Sequence, residues 1–134
     1  MTVYPAGIAG VFCVASTNKH DLRSMFSNWG DGSAWLTAPG EALVTIYPGN
    51  NYAAVWGTSF SAALVSGAVA VIANQVPTIQ HDQLSAALQQ GPHIGNSEDG
   101  DARLDLLASM LFFTSPKAKA VGGSHDSGDD GFDH

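Results

Sequence analysis

A chain of 134 residues has room for one ordinary domain, and with 45% hydrophobic against 13% charged residues it can build a core, so wholesale disorder is excluded. The formal charge is −7 and Lys plus Arg number only five, so no basic cluster exists to meet phosphates; nucleic acid and anionic membrane surfaces are excluded as partners. The single cysteine, Cys13, rules out an internal disulfide, and no run approaches the ~18 consecutive apolar residues of a membrane span. Met1 to Pro5 has neither the basic nor the apolar region of a signal peptide, so an export signal, if any, is expected on other sequence.

Along the chain, the apolar run Ile8 to Ala15 is bounded by Tyr4-Pro5-Ala6-Gly7 and by Ser16-Thr17-Asn18-Lys19, which predicts a buried strand. Ser24 to Gly40 contains Gly30, Gly32, Pro39 and Gly40 and reads as turns with short strand. Ala42 to Tyr47 is a second strand candidate, ended by Pro48-Gly49-Asn50-Asn51. From Ser59 to about Asn74 the residues are small or apolar on every face, which predicts a helix buried all round. A second helix is expected from Thr78 as N-cap, with Leu84, Ala87 and Leu88 as its apolar stripe and Gly91 as its C-cap. A third is expected from Asp105, carrying Leu106, Leu107, Met110 and Leu111. Strands followed by a central buried helix imply an α/β layered domain with a parallel sheet over residues 1–113. Two or three strands make a poor sheet alone, so the chain reads as part of something larger. Residues 114–134, rich in Lys, Gly, Ser and Asp, are expected to form a disordered acidic tail.

Ser59 stands out on physical grounds. A serine in the first helical turn, after Gly57 and Thr58, lies among backbone N–H groups that lack intrahelical partners, at the positive end of the helix dipole. A hydroxyl there could attack a carbonyl while its own N–H helps hold the oxyanion. The commoner role of such residues is to cap the helix, and this short stretch alone leaves both readings open.

The wider sequence is more specific. Gly57-Thr58-Ser59-Phe60-Ser61-Ala62-Ala63-Leu64-Val65-Ser66-Gly67 resembles the nucleophile motif of the subtilases, the subtilisin-like serine proteases of peptidase family S8, usually G-T-S-M-[AS]-[AST]-P-x-V-[AS]-G. Tyr4-Pro5-Ala6 resembles that family's Y-P-A segment, Phe26-Ser27-Asn28-Trp29-Gly30 its F-S-N-x-G turn, and Ala38-Pro39-Gly40 its A-P-G. Four motifs occur in order over residues 4–67, and the Leu84–Leu88 helix with Arg103-Leu104-Asp105 extends the likeness to about residue 112. The resemblance implies part of a subtilisin-like fold, with the central buried helix starting at the nucleophile. It implies peptide-bond hydrolysis through an acyl-enzyme on Ser59, whose N–H is one oxyanion donor. Thr58 would support the hole from the side, and Val3, Tyr4 and Pro5 would form one wall of the substrate pocket. It also implies a protein or peptide substrate and a secreted parent enzyme. No metal site is expected from these residues; some subtilases hold calcium near the Tyr-Pro-Ala loop through backbone carbonyls, which a sequence cannot display. By contrast, Gly57-Thr58-Ser59-Phe60-Ser61 lacks the second glycine of the α/β-hydrolase elbow.

Two departures stand in the motif. Ala63 replaces a proline, which frees an N–H and is expected to loosen the helix start; Phe60 stands where methionine is common. Larger is what the pattern lacks. The family order is Asp, His, Ser, with the aspartate in D-[ST]-G and the histidine in H-G-T, and the 58 residues before Ser59 contain neither. The family's oxyanion asparagine would fall just before Met1. His20 and Asp21 read as solvated loop residues, and His81 and His93 sit at no metal-ligand spacing. His125-Asp126-Ser127-Gly128 mimics the aspartate motif but lies in the tail on the wrong side of Ser59, and with Asp129, Asp130, Asp133 and His134 reads as a solvated acidic segment. The expectation is therefore a truncated or gene-split fragment of a serine endopeptidase, inactive by itself, for which a separately encoded N-terminal half is one candidate partner. The alternative is an inactive remnant or interaction module. Because the tail buries nothing to offset its ordering entropy, deleting residues 114–134 is expected to leave the melting temperature unchanged by calorimetry; a clear drop would show that the tail docks.

Overall fold

The computed structural model describes residues 4–28, 36–94 and 101–115. The expectations placed on Val3, on Trp29 and Gly30, and on the tail beyond Ser115 lie outside these residues. Among the described residues the elements in chain order are β1 (Val14–Thr17), β2 (Leu36–Pro39), β3 (Leu43–Tyr47), β4 (Asn51–Val55), α1 (Thr58–Gln75), α2 (His81–Leu88), β5 (His93–Ile94), β6 (Asp101–Arg103) and α3 (Leu106–Phe112).

The main sheet runs β1-β2-β6-β5. β1, β2 and β6 are parallel, and β5 joins antiparallel at the edge through His93 opposite Ala102 and Ile94 opposite Asp101. The sheet is thus parallel at its centre, as expected, but β5 and β6 were not foreseen: two and three residues are too few to show a period. The core joins Leu36 and Ala38 of β2, Ala102 of β6, Val65 and Ile72 of α1, and Leu84 and Leu88 of α2.

The first strand begins later than its apolar run. Residues 4–10 form hydrogen-bonded turns, with the Ile8 N–H donating to the Pro5 carbonyl and the Val11 N–H to that of Ile8, and Ile8 is 51% exposed. Gly10 sits at φ 84°, so the backbone becomes extended only beyond it. The second strand candidate, β3, does not join the main sheet. It pairs with β4 in a hairpin whose turn places Gly49 and Asn50 at φ 80° and 58°, and its outer face leaves Val44, Ile46 and Tyr52 exposed.

α1 is the long helix the apolar run predicts, and it is continuous despite Ala63. It is not buried all round. Ser61, Val65, Ala68 and Ile72 form one buried stripe against β1 and β2, while Leu64 and Val71 are exposed. Its length and composition would also suffice for a membrane span, but the packed stripe is that of a core helix. α2 starts from Gln80 rather than Thr78, because the Gln80 N–H donates to Gln83 Oε1 at 3.1 Å. Leu84, Ala87 and Leu88 are buried as expected. Gly91 does not cap α2, which ends at Gln89; it lies against the Arg103 carbonyl, where a Cβ would collide. α3 begins after Asp105, whose carboxylate accepts the Ala108 N–H at 2.9 Å.

Asp21 is not merely solvated. Arg103 Nη1 donates to its carboxylate at 2.6 Å, tying the loop after β1 to β6 across 82 residues of sequence. Beside it, a buried serine cluster holds the Phe26-Ser27-Asn28 turn on β1: the Ser16 N–H donates to Ser27 Oγ at 3.0 Å and the Ser24 N–H to the Ser16 carbonyl at 2.9 Å. Ser16 and Ser24 hydroxyls are 2.7 Å apart.

The layers meet at Gly40. Its N–H donates to the Thr17 carbonyl at 3.0 Å, and its carbonyl accepts the Gly57 N–H at 2.8 Å. Ser61 Oγ donates to the neighbouring Pro39 carbonyl at 3.0 Å. A Cβ on Gly40 would collide with Ser16 Oγ and Ser61 Oγ and stand 2.9 Å from the Gly57 carbonyl oxygen. Two stability changes follow, both measurable by urea unfolding. Gly40→Ala is expected to cost about 1–3 kcal/mol, because well-packed neighbours resist insertion. Asp105→Ala removes the α3 cap and is expected to cost about 0.5–2 kcal/mol.

Candidate active site

α1 begins under a glycine. The N-cap is Gly57 at φ 150° and ψ 151°, a conformation reserved almost entirely for glycine, and it offers no side chain to cap the helix. Thr58 and Ser59 are the first and second helical residues, so neither occupies the capping position. With no acidic side chain in the first turn either, the helix start keeps its unpaired N–H groups and its positive dipole end uncompensated. Ser59 itself is exposed. Its N–H has no carbonyl four residues back to donate to, because helix geometry provides none in the first turn.

Ser59 opens into a cleft of about 280 Å³. Thr58 and Ala62 form the α1 side, Pro5 and Ala6 the turn opposite, and Ser27 and Asn28 a further edge. The floor comes from the entry to β1, including Cys13 and Ala15. The fold therefore brings three of the four sequence motifs to one place and uses the fourth, Ala38-Pro39-Gly40, to hold the helix start. Of the residues the resemblance assigns to the pocket wall, Pro5 lines the cleft, Tyr4 is exposed and is not among its walls, and Val3 lies outside the described residues. Cys13, Ala6 and Ala62 were not foreseen. Ala6 and Ala62 lie within two of the sequence motifs but carry no reactive group, and no motif includes Cys13, which only the entry to β1 places.

Among the described residues, no histidine or carboxylate lines this cleft. His81 stacks on Phe12 at a ring separation of 4.9 Å, at the start of α2. His20 lies in the loop after β1, where its N–H donates to Asn18 Oδ1, and His93 is on the edge strand β5. The turn over residues 4–11 includes no carboxylate, and its Pro5 and Ile8 carbonyls each accept a turn hydrogen bond. Among the described residues the cleft thus presents the Ser59 hydroxyl beside the first-turn N–H groups of α1, with no histidine or carboxylate in its lining.

Comparison with known proteins agrees with this arrangement. Residues 1–107 match the profile of the subtilase family, Peptidase_S8. The M-protease of Shouchella clausii (strain KSM-K16) is 31% identical over 108 residues, covering 81% of this chain and 27% of that protein. Subtilisin Savinase of Lederbergia lenta is 35% identical over 81 residues, covering 60% of this chain and 30% of that protein. The prenylagaramide maturation protease PagA shares the fold, with a TM-score of 0.70 at 24% identity over 84% of this chain and 46% of PagA. The chain thus spans less than a third of these curated relatives and under half of that solved protein. With a matching profile over most of its length, the same fold, and a serine on the first turn of its central helix, this chain belongs to the subtilase family of serine proteases.

Proposed function

We propose that this chain supplies the nucleophile-bearing part of a subtilisin-like serine endopeptidase, with Ser59 as the nucleophile. The observation that carries the reading is the presentation of Ser59: second residue of α1, exposed, under an N-cap with no side chain to offer, at the mouth of an apolar cleft. A peptide seated in the cleft would place its scissile carbonyl over the Ser59 hydroxyl. Attack forms a tetrahedral intermediate whose oxyanion accepts the Ser59 N–H, with the Thr58 side chain supporting the hole from the side. Collapse releases the amine and leaves an acyl group on Ser59 Oγ, which water then removes. Pro5, which lines the cleft, serves the wall for the residue preceding the scissile bond.

Serine needs a base within hydrogen-bond reach to act this way at neutral pH. Neither D-[ST]-G nor H-G-T precedes Ser59, and no histidine lines the cleft among the described residues. The base, its orienting carboxylate and the second oxyanion donor therefore come from polypeptide outside these 134 residues, and the chain alone is inactive. A secreted location follows the family pattern.

The purified chain is expected to resist labelling by a fluorophosphonate probe. Mixed with the portion of Subtilisin Savinase that precedes its matched segment, it is expected to become labelled, and Ser59→Ala to abolish the signal. Labelling of the isolated chain that is lost in Ser59→Ala and in a histidine variant would overturn the inactivity and identify that histidine as the base. Labelling that persists in Ser59→Ala would overturn the assignment of the nucleophile.

A further inference from the structure

Three serines lie buried behind the cleft, and one of them touches both of its sides. Ser16, Ser24 and Ser27 are 0%, 3% and 4% exposed, so their hydroxyls depend on partners within the protein. On one side the Ser16 N–H donates to Ser27 Oγ at 3.0 Å, and Ser27 Oγ donates onward to the Asn28 carbonyl at 3.4 Å. Ser27 and Asn28 are an edge of the cleft, whereas neither Ser16 nor Ser24 lines it. The Ser16 and Ser24 hydroxyls meet at 2.7 Å, and the Ser27 N–H donates to the Ser24 carbonyl at 2.9 Å. On the other side the Ser16 hydroxyl faces Gly40, where a Cβ would strike both it and Ser61 Oγ. The Gly40 carbonyl accepts the Gly57 N–H at 2.8 Å, and Gly57 is the N-cap of the turn that presents Ser59.

We infer that Ser16 is a positioning residue, which locks the Ser27–Asn28 edge of the cleft to the helix start that carries Ser59, so that both sides move as one unit. An apolar contact in its place would tolerate sliding, whereas hydrogen bonds fix distance and direction. The hydroxyl pair is satisfied only while Ser16 and Ser24 stay together. Separation leaves two buried hydroxyls unpaired, a costly state that penalises any drift of the turn from β1. Close packing carries the constraint onward. With no room for a carbon between the Ser16 and Ser61 hydroxyls, a shift of Ser16 presses on Gly40 and, through its carbonyl, on the N-cap of α1. The inference rests on the proposed function only in taking this cleft as the substrate site; the coupling belongs to the chain whether or not Ser59 reacts.

Amide hydrogen exchange of the full chain, followed by NMR, reads the coupling directly. In the parent, the Ser27 and Gly57 amides are expected to open with the same dependence on added urea, as members of one cooperative unit. Ser24→Ala removes half of the hydroxyl pair without touching the cleft, and is expected to speed exchange at both amides roughly tenfold. The Ser109 amide, which donates to the Asp105 carbonyl in α3, is expected to keep its parent rate. Adding Ser16→Ala is expected to change little more, because the pair is already broken. In the mixture with the Savinase portion, Ser24→Ala is expected to slow fluorophosphonate labelling of Ser59 roughly fivefold or more. Different urea dependences for Ser27 and Gly57 in the parent would overturn the coupling, and that measurement stands even where Ser24→Ala folds poorly. A parent rate at Gly57 in Ser24→Ala, or a uniform rise that includes Ser109, would overturn it as well. Coupled exchange with unchanged labelling would overturn the positioning role. Coupled exchange in a chain whose mixture never labels Ser59 would uphold the coupling and sink the catalytic reading, and labelling with uncoupled exchange would do the reverse.

Discussion

The arrangement depends on how closely β2 approaches the start of α1. At Gly40 there is no space for even one carbon beyond the backbone, and the two hydrogen bonds of that residue link the end of β1 to the N-cap of the helix. Those contacts fix where the first turn of α1 lies over the carboxyl end of the parallel strands, the usual ligand crevice of α/β sheets. Ser61, buried one turn from the cap, anchors the helix to the same strand through the Pro39 carbonyl. Ser59 is then presented outward by default, two residues before an anchored side chain on the opposite side of the turn.

What could be read from sequence follows the length of each signal. The run of small and apolar residues from Ser59 to about Asn74, an Asp before Leu-Leu and the Leu84–Leu88 stripe each carry several residues' worth of pattern, and the three helices were placed within a few residues. Strands were read less well. The Ile8–Ala15 run includes residues that end up in turns around Gly10, and β5 and β6 depend on pairing that no local pattern records. The hairpin β3–β4 was half seen, since its first strand and its Pro48-Gly49-Asn50 turn are legible while Asn51-Tyr52-Ala53-Ala54-Val55 lacks a strong alternation. The helix start at Gly57-Thr58-Ser59 was legible because the run of small and apolar residues behind it fixes where α1 begins. The cleft walls were legible only in part: Ala62 lies one helical turn from Ser59, whereas Ala6 and Cys13 join it only through the tertiary fold.

The helix α1 exposes the difference between what a sequence specifies and what one chain satisfies. Its composition is consistent with burial on all sides, and apolar pattern reads environment without knowing which polypeptide supplies it. In this chain the sheet covers one stripe. The rest of the surface remains apolar and includes a glycine whose only structural merit is the room it leaves.

The same division runs through the active site. In the proposed reading, preorganisation of the nucleophile and oxyanion donor is local: it needs a glycine N-cap, a free first turn and the Gly40 contact, all within residues 40–61. Activation of the nucleophile is not local, since a general base must reach the hydroxyl from another element. The contacts that hold Ser59 in place also hold the sheet to its central helix. Loss of Gly40 or Ser61 would therefore damage stability before it damaged catalysis. Substitution of Ser59, exposed and free of any structural bond in this chain's first helical turn, removes the chemistry and leaves the packing as it was.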